Sequence, residues 1–580
     1  MTLAQQPADA NARRLGIDDV LALHTFTENH GSCFAFSPDG SQLAFCKQGP
    51  LAGATRFTDG FLGGIARGEL YILDLATLAL RRVAPAFDCG TPAWSPCGRT
   101  LAFCAATADA VQLGFVQPDG SGLQLAALPN LDFSGTRSFA WLDAERLACV
   151  VPLDHGSPLL LHVESRGLRK SMAAWERLTQ SPEPTASAWT TQDAPYAPRD
   201  YLRPGWPRAF VVYDRVERRC TPAPADTADP LLRDFIDQTV GGHNARMERG
   251  QLRSRHALPG GALVAVHAAS DQALFLVQDG SGTRLVLCGE RWHTPTEILR
   301  TNTHLDGIAA GRCVDLQTAG AEPQRVRVLL PPGEHGRRAL PAVMWVYPGG
   351  GPGPAVDPSF MLHEPSQFNL QLLAARGYAV IEPTMALPED RSNADVPALV
   401  AAAAQAAAAA CTAAGLVDPA RLHVMGHSRG GWAAMSLLTT TGLFRSGIAS
   451  AGVSNAISLY GACDPRFRYE DAPDAQSSPF QTDICEEWFG MAGPPEQQLD
   501  RYARCSPVLA ASKIQAPLLL VHADQDFFPM AQAEEMYAAL RRLGKPATLL
   551  RYWGEGHMLA KPQNIADLWA RIFDWLDRHG

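Results

Sequence analysis

The segment from Gly426 to Gly430 constrains the fold of this chain more than any other, because it places a Gly-x-Ser-x-Gly pattern directly after the apolar run Leu422–Met425. A strand that ends in this pattern and continues at once as a helix is typical of a nucleophile elbow, a tight turn that exposes a serine hydroxyl. A side chain in place of either glycine would collide with the neighbouring strand or helix. Ser428 is therefore the candidate nucleophile, with a helix N-terminus directly behind it.

The residues that would activate Ser428 follow it in the chain. A serine hydroxyl needs a histidine base, and the histidine needs a carboxylate that orients it. The apolar strand Pro517–Val521 leads into a loop that contains Asp524 and Asp526. The next strand ends in the glycine-flanked loop Gly554–His557. This order of serine, acid and histidine is typical of the α/β-hydrolase fold.

The residue pattern alone leaves alternatives for the acid and for the base. Asp524 and Asp526 compete for the role of the acid, and the other one is expected to be a loop or helix-cap residue. His557 is favoured as the base because glycines lie beside it in the loop and because it follows the last strand. His522 is a weaker candidate, since it ends a buried strand and precedes the acidic loop.

The oxyanion hole requires two hydrogen-bond donors. One is expected to be the backbone N–H of Arg429, the residue after the nucleophile. The other is expected in the loop after the strand that begins near Val343, where Tyr347 and Pro348 precede three glycines. These glycines do not form a phosphate-binding loop, because the sequence has neither a Walker A motif nor a dinucleotide-binding glycine pattern.

The C-terminal half alternates apolar strands with helical stretches, which is the pattern of a mostly parallel sheet flanked by helices. We predict an α/β-hydrolase catalytic domain over residues 311–580, with helices at 365–376, 396–414, 430–440, 530–543 and 564–578. The alanine-rich run at 401–410 is interpreted as a helix packed closely on the sheet, because alanine is the strongest helix former.

The N-terminal half repeats one hairpin signature. An aromatic strand end, a Pro/Asp/Gly turn and an alternating strand occur at Phe36–Phe45, again at Trp94–Phe103, and more weakly at Trp141–Ala148. Such turns favour the positive φ values that tight hairpins require. The recurrence predicts an all-β, propeller-like domain over residues 20–310, after an N-terminal segment at 1–19. A β-sandwich or several small β-domains are the alternatives. The turn signals at 164–251 are weak, so the number of blades stays open.

Taken together, these segments resemble the prolyl oligopeptidase family of serine peptidases, from about Val326 to the end of the chain. The stretch 506–557 looks like the acylaminoacyl-peptidase and dipeptidyl-peptidase-like branches, and the stretch 345–348 is also similar to the glutamyl-endopeptidase-like branch. The resemblance implies that Asp526 is the triad acid and that the hydroxyl of Tyr347 completes the oxyanion hole. It also implies a propeller that restricts access to short or unfolded peptides.

Three residues depart from the pattern that is usual in this family. Ala523 stands where a glycine is usual, Trp553 stands where a proline is usual, and Pro348 lies in the oxyanion loop before three glycines. None of these changes removes a catalytic group. They leave the shape of the pocket, and therefore the substrate preference, open.

The composition narrows the range of partners. A net charge of −9 argues against nucleic acid and against anionic membrane surfaces as partners. We expect no transmembrane helix of ~18–20 apolar residues, and the start Met1–Pro7 does not read as a signal peptide. Thirteen cysteines without Cys-x-x-Cys pairs indicate reduced thiols in a cytoplasmic protein. The histidines lack metal-site spacing, so we expect neither a metal nor a cofactor.

We therefore predict a serine peptidase that hydrolyses peptide bonds of short peptides through an acyl-enzyme on Ser428. One alternative is a carboxylesterase or other acyl hydrolase that uses the same triad. A less favoured alternative is a non-enzymatic protein that binds partners through its propeller. The residue preference at the cleaved bond, exo- or endo-action and the oligomeric state, which includes a homo-oligomer, stay open at this point.

Overall fold

The computed structural model describes residues 13–26, 32–54, 65–107, 110–128, 130–131, 138–152, 208–223, 252–334, 339–353, 357–463, 465 and 481–580 apart from 483, with a few positions between 172 and 182. The segment Met1–Pro7, for which no signal peptide is predicted, lies outside these residues, and so does most of the stretch 164–251 with its weak turn signals. The chain divides into two compact units. One comprises residues 21–166 and 202–306, and the other comprises residues 1–20, 167–201 and 307–580.

In the described residues the first unit contains four antiparallel sheets, each with four strands in chain order. The first sheet contains β1 to β4 at Phe34–Phe36, Gln42–Gln48, Gly68–Asp74 and Leu80–Val83. The second contains β5 to β8 at Asp88–Trp94, Leu101–Ala106, Val111–Val116 and Gln124–Leu125. The third contains β9 to β12 at Phe139–Trp141, Arg146–Pro152, Arg208–Asp214 and Arg219–Pro222. The fourth contains β13 to β16 at Gly261–His267, Gln272–Asp279, Gly282–Gly289 and Trp292–Thr301.

The turns between these strands follow the predicted hairpin signature. In the first turn the Asp39 carboxylate accepts hydrogen bonds from the Ser37 hydroxyl at 2.6 Å and from the Ser41 backbone N–H at 3.0 Å. Gly40 has a φ of +68°, and Gly98 in the second copy has a φ of +71°. A residue with a side chain adopts such angles at a cost, so the repeated glycine is a requirement of the turn.

Neighbouring sheets are joined by equivalent side chains of the repeat. The indole N–H of Trp94 donates to the carbonyl of Ala35 at 3.0 Å, and that of Trp141 donates to the carbonyl of Ala93 at 3.0 Å. The fourth sheet bonds back to the first, because the Gln272 amide donates to the Gly40 carbonyl at 3.0 Å. Successive four-stranded sheets that return to the first one form a β-propeller, as predicted, and the β-sandwich alternative is wrong.

The second unit is built on a sheet with eight strands in the described residues, in the order β17-β18-β20-β19-β21-β22-β23-β24. The first three of these pair antiparallel and the others pair parallel. Strands β17 to β24 are Arg312–Gln317, Arg325–Leu330, Leu340–Trp345, Ala379–Pro383, Val417–His427, Gly447–Ser450, Leu518–Ala523 and Ala547–Tyr552. This order and the helices between the parallel strands are those of an α/β-hydrolase, which confirms the predicted fold class.

Several helices connect the parallel strands of this sheet, and one follows the last strand. In chain order the α-helices of the described residues, α1 to α8, are Ile17–Leu21, Gln371–Ala375, Val396–Ala413, Arg429–Thr440, Ala456–Tyr460, Pro495–Arg504, Ala531–Arg542 and Pro562–His579. The helix predicted at 365–376 is shorter than expected and begins only at Gln371. The reason is local, because the Ser366 hydroxyl and the Asn369 amide bond to nearby backbone groups and so compete with helical hydrogen bonds.

One helix corrects the expectation that no apolar run approaches the length of a membrane span. Helix α3, with 18 residues and a mean hydropathy of 1.6, is long and apolar enough to pass that test, alone among the described helices. Its buried side chains, among them Val400, Ala404 and Cys411, belong to the hydrophobic core of the sheet. The high hydropathy comes from alanine, whose small side chain allows a helix to pack closely on a sheet.

Candidate active site

The candidate nucleophile occupies the junction between β21 and α4. Strand β21 ends at His427 and helix α4 begins at Arg429, so Ser428 alone forms the turn. Ser428 has a φ of +60° and a ψ of −121°. Such angles are unfavourable for a residue with a side chain and are held here by the surrounding backbone. The Ser428 N–H donates to the Ser450 carbonyl at 2.9 Å, and the Ser428 carbonyl accepts from the Trp432 N–H at 3.1 Å.

The two glycines of the pattern are required by close backbone approach. A Cβ at Gly426 would lie 2.2 Å from the carbonyl oxygen of Gly430 in the helix. A Cβ at Gly430 would lie 2.1 Å from the carbonyl oxygen of Val346, beyond the end of β19. Both distances are far below any real carbon contact, so the predicted collision with strand and helix is confirmed. Gly431 has the same requirement, with 2.4 Å to the Ser450 oxygen, and the sequence interpretation did not single it out.

Asp526 and His557 form a hydrogen-bonded pair. The loop after β23 carries Asp526 and the loop after β24 carries His557, and Nδ1 of the imidazole lies 2.9 Å and 3.0 Å from the two carboxylate oxygens. Asp526 is completely buried, while the side chain of His557 is 19% exposed. The Asp526 carboxylate also accepts from the backbone N–H of Phe528 at 2.9 Å. A carboxylate at Nδ1 places the proton on that nitrogen and leaves Nε2 as the basic atom.

The charge of this pair is set by its surroundings. Burial raises the pKa of the Asp526 carboxyl, but the charge and the hydrogen bond of His557 outweigh that effect and hold the pKa below its ordinary value. His522 also contributes, since its Nε2 lies 3.6 Å from an Asp526 oxygen. Asp526 is therefore a carboxylate in the folded protein, as an orienting acid must be.

The candidate base, His557, lies beside the nucleophile elbow. The ring of His557 is 4.7 Å from the ring of His427, the residue directly before Ser428. Phe527 and Phe528 cover other sides of the imidazole, with centroid distances of 4.1 Å and 5.5 Å. Among the residues that the structure describes, the Ser428 hydroxyl has no hydrogen-bond partner. Such a hydroxyl and a nearby basic nitrogen are free to engage each other and a substrate.

The competing candidates have other roles. The Asp524 carboxylate accepts from the backbone N–H of Gly554 at 2.5 Å and from the Gln525 amide at 2.8 Å, so it ties the acid loop to the base loop. His522 is fully buried in β23, and its Nε2 lies 2.9 Å from the Phe528 carbonyl. Asp524 is thus a loop residue, which is one of the two roles expected for the acidic residue that does not pair with the histidine. His522 supports the loop that carries Asp526.

The expected oxyanion donors lie on two adjacent elements. Arg429 is the first residue of α4, so its backbone N–H is one of those that a helix leaves free. Tyr347 lies in the loop after β19, and its ring lies 3.6 Å from the position that a Cβ would take at Gly430. The loop is anchored to Met385, which accepts from the Gly349 N–H and donates to the Gly350 carbonyl, both at 2.8 Å. Tyr347 is 38% exposed, and its hydroxyl makes no hydrogen bond with a described residue.

Two further residues support the site and were not singled out from the sequence. Glu555 is fully buried, and its carboxylate accepts from the Ala560 N–H at 2.8 Å, the Lys561 N–H at 3.1 Å and the Asn564 amide at 2.6 Å. It therefore fixes the histidine loop to the start of α8. Burial raises the pKa of Glu555 above its ordinary value, although these hydrogen bonds oppose the shift. The glutamate between two glycines, next to the histidine, was the available signal.

His427 is the other supporting residue. Its ring packs edge-on against Phe368 at 4.9 Å, and its Nδ1 lies 3.2 Å from the Ser450 hydroxyl. Burial, together with the positive charge that His557 carries when protonated, holds the pKa of His427 well below its ordinary value. A neutral imidazole therefore packs against that of the candidate base. Its position as the last residue of a buried strand was the signal in the sequence.

The fold and this site define an α/β-hydrolase with a serine nucleophile elbow. Residues 400–580 match the sequence model of the prolyl oligopeptidase family. The uncharacterized peptidase YuxL of Bacillus subtilis is 29% identical over 167 residues, which are 28% of this chain and 23% of that protein. The acylamino-acid-releasing enzyme of Arabidopsis thaliana is 25% identical over 168 residues, 28% of this chain and 20% of the enzyme. The match thus spans about a fifth to a quarter of these relatives' length.

Solved structures extend the likeness of fold to nearly the whole chain. The acylaminoacyl peptidase of Pyrococcus horikoshii superposes with a TM-score of 0.59 at 13% identity, covering 93% of this chain and 94% of that one. The AtxE2 isopeptidase superposes with a TM-score of 0.58 at 16% identity, covering 98% and 96%. At these identities the comparison establishes the fold alone.

Proposed function

We propose that this protein is a serine peptidase that hydrolyses short peptides through an acyl-enzyme on Ser428. The observation that carries the proposal is the pair formed by the buried Asp526 and the partly exposed His557, joined at 2.9 Å, in the same site as a serine with a φ of +60°. A carboxylate without solvent exposure is costly unless it has a charged or hydrogen-bonding partner. Its retention against an imidazole next to a strained serine is the arrangement that acyl transfer needs.

The proposed reaction begins with the attack of the Ser428 hydroxyl oxygen on the carbonyl carbon of the scissile bond. Nε2 of His557 accepts the hydroxyl proton, and Asp526 stabilises the resulting imidazolium through Nδ1. The negative charge on the former carbonyl oxygen is received by the N–H of Arg429 and the hydroxyl of Tyr347. His557 then gives its proton to the leaving amine as the carbon–nitrogen bond breaks. Water, deprotonated by the same Nε2, hydrolyses the ester and restores Ser428.

The aromatic surroundings support this assignment of the base. Phe527, Phe528 and His427 contact three sides of the His557 ring and leave it partly exposed. They limit the rotamers of the imidazole and exclude water from the Asp526 carboxylate. An ion pair formed during the reaction is stronger in such a dry environment than in water.

In the proposed function the β-propeller allows only short or unfolded peptides to reach the active site, as the family resemblance implies. We also propose a cytoplasmic location, in line with thirteen cysteines of which none forms a disulfide. If the β-propeller restricts access, the rate of cleavage should fall as the substrate lengthens from a few residues to a folded domain. A rate that is independent of substrate length would contradict it.

The deciding experiment compares wild type with Ser428→Ala on chromogenic free aminoacyl, N-acetyl-aminoacyl, dipeptidyl and internally blocked peptides, and on p-nitrophenyl acetate. Amide cleavage that Ser428→Ala abolishes supports a peptidase, and the best substrate identifies exo- or endo-action. Ser512→Ala removes an exposed hydroxyl elsewhere in the second unit and serves as the matched control. Hydrolysis of the ester alone would replace the peptidase proposal with a carboxylesterase.

A further inference from the structure

The side chain of Arg429 is a charged group that the proposed reaction does not use. Its guanidinium lies 5.3 Å from the ring centre of Tyr347 and 5.2 Å from that of Trp488. Both distances are within the range of cation–π contact. The guanidinium therefore sits between two aromatic faces, one residue from the nucleophile and against the proposed oxyanion tyrosine. We call Tyr347 and Trp488 the aromatic clamp.

The clamp is held firmly on its Trp488 side. Trp488 ends a single π-helical turn, Ile484–Trp488, a local distortion that is frequent at functional sites. Its ring packs edge-on against Trp432 at 5.7 Å and against Phe489 at 4.3 Å. Trp432 is itself fully buried, and its indole N–H donates to the Cys505 carbonyl at 2.8 Å. The guanidinium is thus orientated by a rigid wall.

The charge of Arg429 has no acidic partner in the described part of the chain. No carboxylate oxygen of a described residue lies within salt-bridge distance of it, and its N–H groups make no hydrogen bond there. The Glu486 carboxylate, which lies in the same turn as Trp488, accepts from the Tyr460 hydroxyl at 2.8 Å. The aromatic faces stabilise the cation but do not satisfy its five N–H donors, because these point outward in the plane of the guanidinium. A planar anion is the group that completes such a site.

We infer that the Arg429 guanidinium is a specificity-determining group that selects peptides with a carboxylate close to the scissile bond. The inference rests on the proposed peptidase function and names its substrate class. The carboxylate is either the side chain of an acidic residue next to the bond or the free carboxyl terminus of a very short peptide. In both cases the fork of the guanidinium binds the two oxygens while the adjacent hydroxyl of Ser428 faces the carbonyl.

The test uses matched pairs of peptide substrates that differ in one charge. One set compares glutamate with glutamine on each side of the scissile bond, with a blocked carboxyl terminus. A second set compares a neutral peptide as its free acid with its amide. We expect wild type to favour the charged member of one pair by about tenfold or more in kcat/KM, a difference of about 1.4 kcal/mol. The preference should weaken as the salt concentration rises.

Variants then assign the preference to Arg429. Arg429→Met should bring the ratio within the pair to about one, and Trp488→Leu should lower it partly. The ratio is the readout because the Arg429 backbone belongs to the proposed oxyanion hole, so the absolute rate of the variant is not informative. Arg541→Met removes an exposed arginine of α7 and should keep the ratio of wild type. If Arg429→Met does not fold, Arg429→Lys keeps the charge and should lower the ratio severalfold through loss of the fork.

The outcomes separate this inference from the proposed function. Serine-dependent cleavage with equal rates within every pair overturns the role of Arg429 and leaves the peptidase intact. A preference that persists in Arg429→Met overturns it as well. A preference confined to the free-acid set supports it and identifies the chain terminus as the source of the carboxylate. Loss of serine-dependent amide cleavage on all substrates overturns both proposals.

Discussion

Two neighbouring loops of the second unit each bury a carboxylate, and their different partners give them opposite properties. Asp526, after β23, faces an imidazole, while Glu555, after β24, faces neutral backbone and amide N–H groups. Both are completely inaccessible to solvent. The pKa of Asp526 is nevertheless lowered and that of Glu555 is raised, although burial raises both. The comparison teaches that the charge of the partner, rather than burial, decides which carboxyl group is fit to orient a base.

The largest expected effect follows from neutralising the acid that faces the imidazole. Asp526→Asn should lower kcat by about ten-thousandfold, because an amide no longer fixes the reactive tautomer or stabilises the imidazolium. Single-turnover and steady-state rates with a chromogenic peptide measure this loss. Asp524→Asn, two residues away, is the matched control and should cost at most about tenfold. Equal losses in both variants would contradict the assignment of Asp526.

The next effect concerns the carboxylate that faces neutral donors. Glu555→Gln replaces an acceptor of three hydrogen bonds with an amide whose N–H₂ opposes some of those donors. We expect a free energy of unfolding about 1–3 kcal/mol lower than that of wild type, with a smaller loss of kcat than in Asp526→Asn. Urea denaturation and peptide cleavage measure the two quantities. A loss of kcat as large as that of Asp526→Asn would show that the two carboxylates do not differ in role.

The pH dependence of stability should carry opposite signs for the two groups. A lowered pKa means that Asp526 stabilises the fold above its unfolded pKa of about 3.9, and that this contribution is lost as the pH falls through the folded value. A raised pKa means that the contribution of Glu555 is complete below its unfolded value of about 4.3 and is lost as the pH rises through the folded value. Denaturation of wild type, Asp526→Asn and Glu555→Gln over a range of pH separates the two contributions. If the difference in free energy of unfolding between wild type and variant changes with pH in the same direction for both variants, the comparison is contradicted.

The smallest expected effect concerns His427, which supports the base without touching the acid. His427→Phe keeps an aromatic ring in contact with His557 and should lower kcat/KM by about threefold to tenfold, through less exact placement of the imidazole. The acid limb of the pH profile should show the same single ionisation in wild type and variant, because the lowered pKa keeps His427 neutral. A second ionisation that disappears in the variant would contradict this role.

Much of the second unit was predictable because its signals are local. The pattern around Ser428, the apolar strand before Asp526 and the glycine-flanked His557 each depend on neighbouring residues in the chain. Predicted helices near 396–414, 430–440 and 530–543 agree with the structure within one residue at each end. The helix predicted at 365–376 failed because Ser366 and Asn369 bond to nearby backbone, which a helical pattern does not reveal.

In the first unit the repeated turns were equally predictable, and for the same reason. A Pro/Asp/Gly turn specifies a hairpin from within its own few residues, and the Trp94 and Trp141 hydrogen bonds then join successive sheets. The bounds of helix α3 were predicted correctly, but its overall hydropathy was underestimated, since its apolar character comes from many small side chains rather than from large ones.

The sequence by itself determined the chemical groups and their chain order: a serine in a turn that requires glycine two residues before and two residues after it, two acidic candidates, and a histidine after the last strand. The residue pattern left Asp524 and Asp526 as alternatives, and the family resemblance pointed to Asp526. Only the tertiary structure showed the contact of Asp526 with His557, the buried hydrogen bonds of Glu555 and the aromatic clamp around Arg429. The physical reason is that a hydrogen bond between loops 31 residues apart, or a cation between two rings, depends on distances that the packing of the sheet sets. Local sequence specifies which turn forms, and packing specifies which groups meet there.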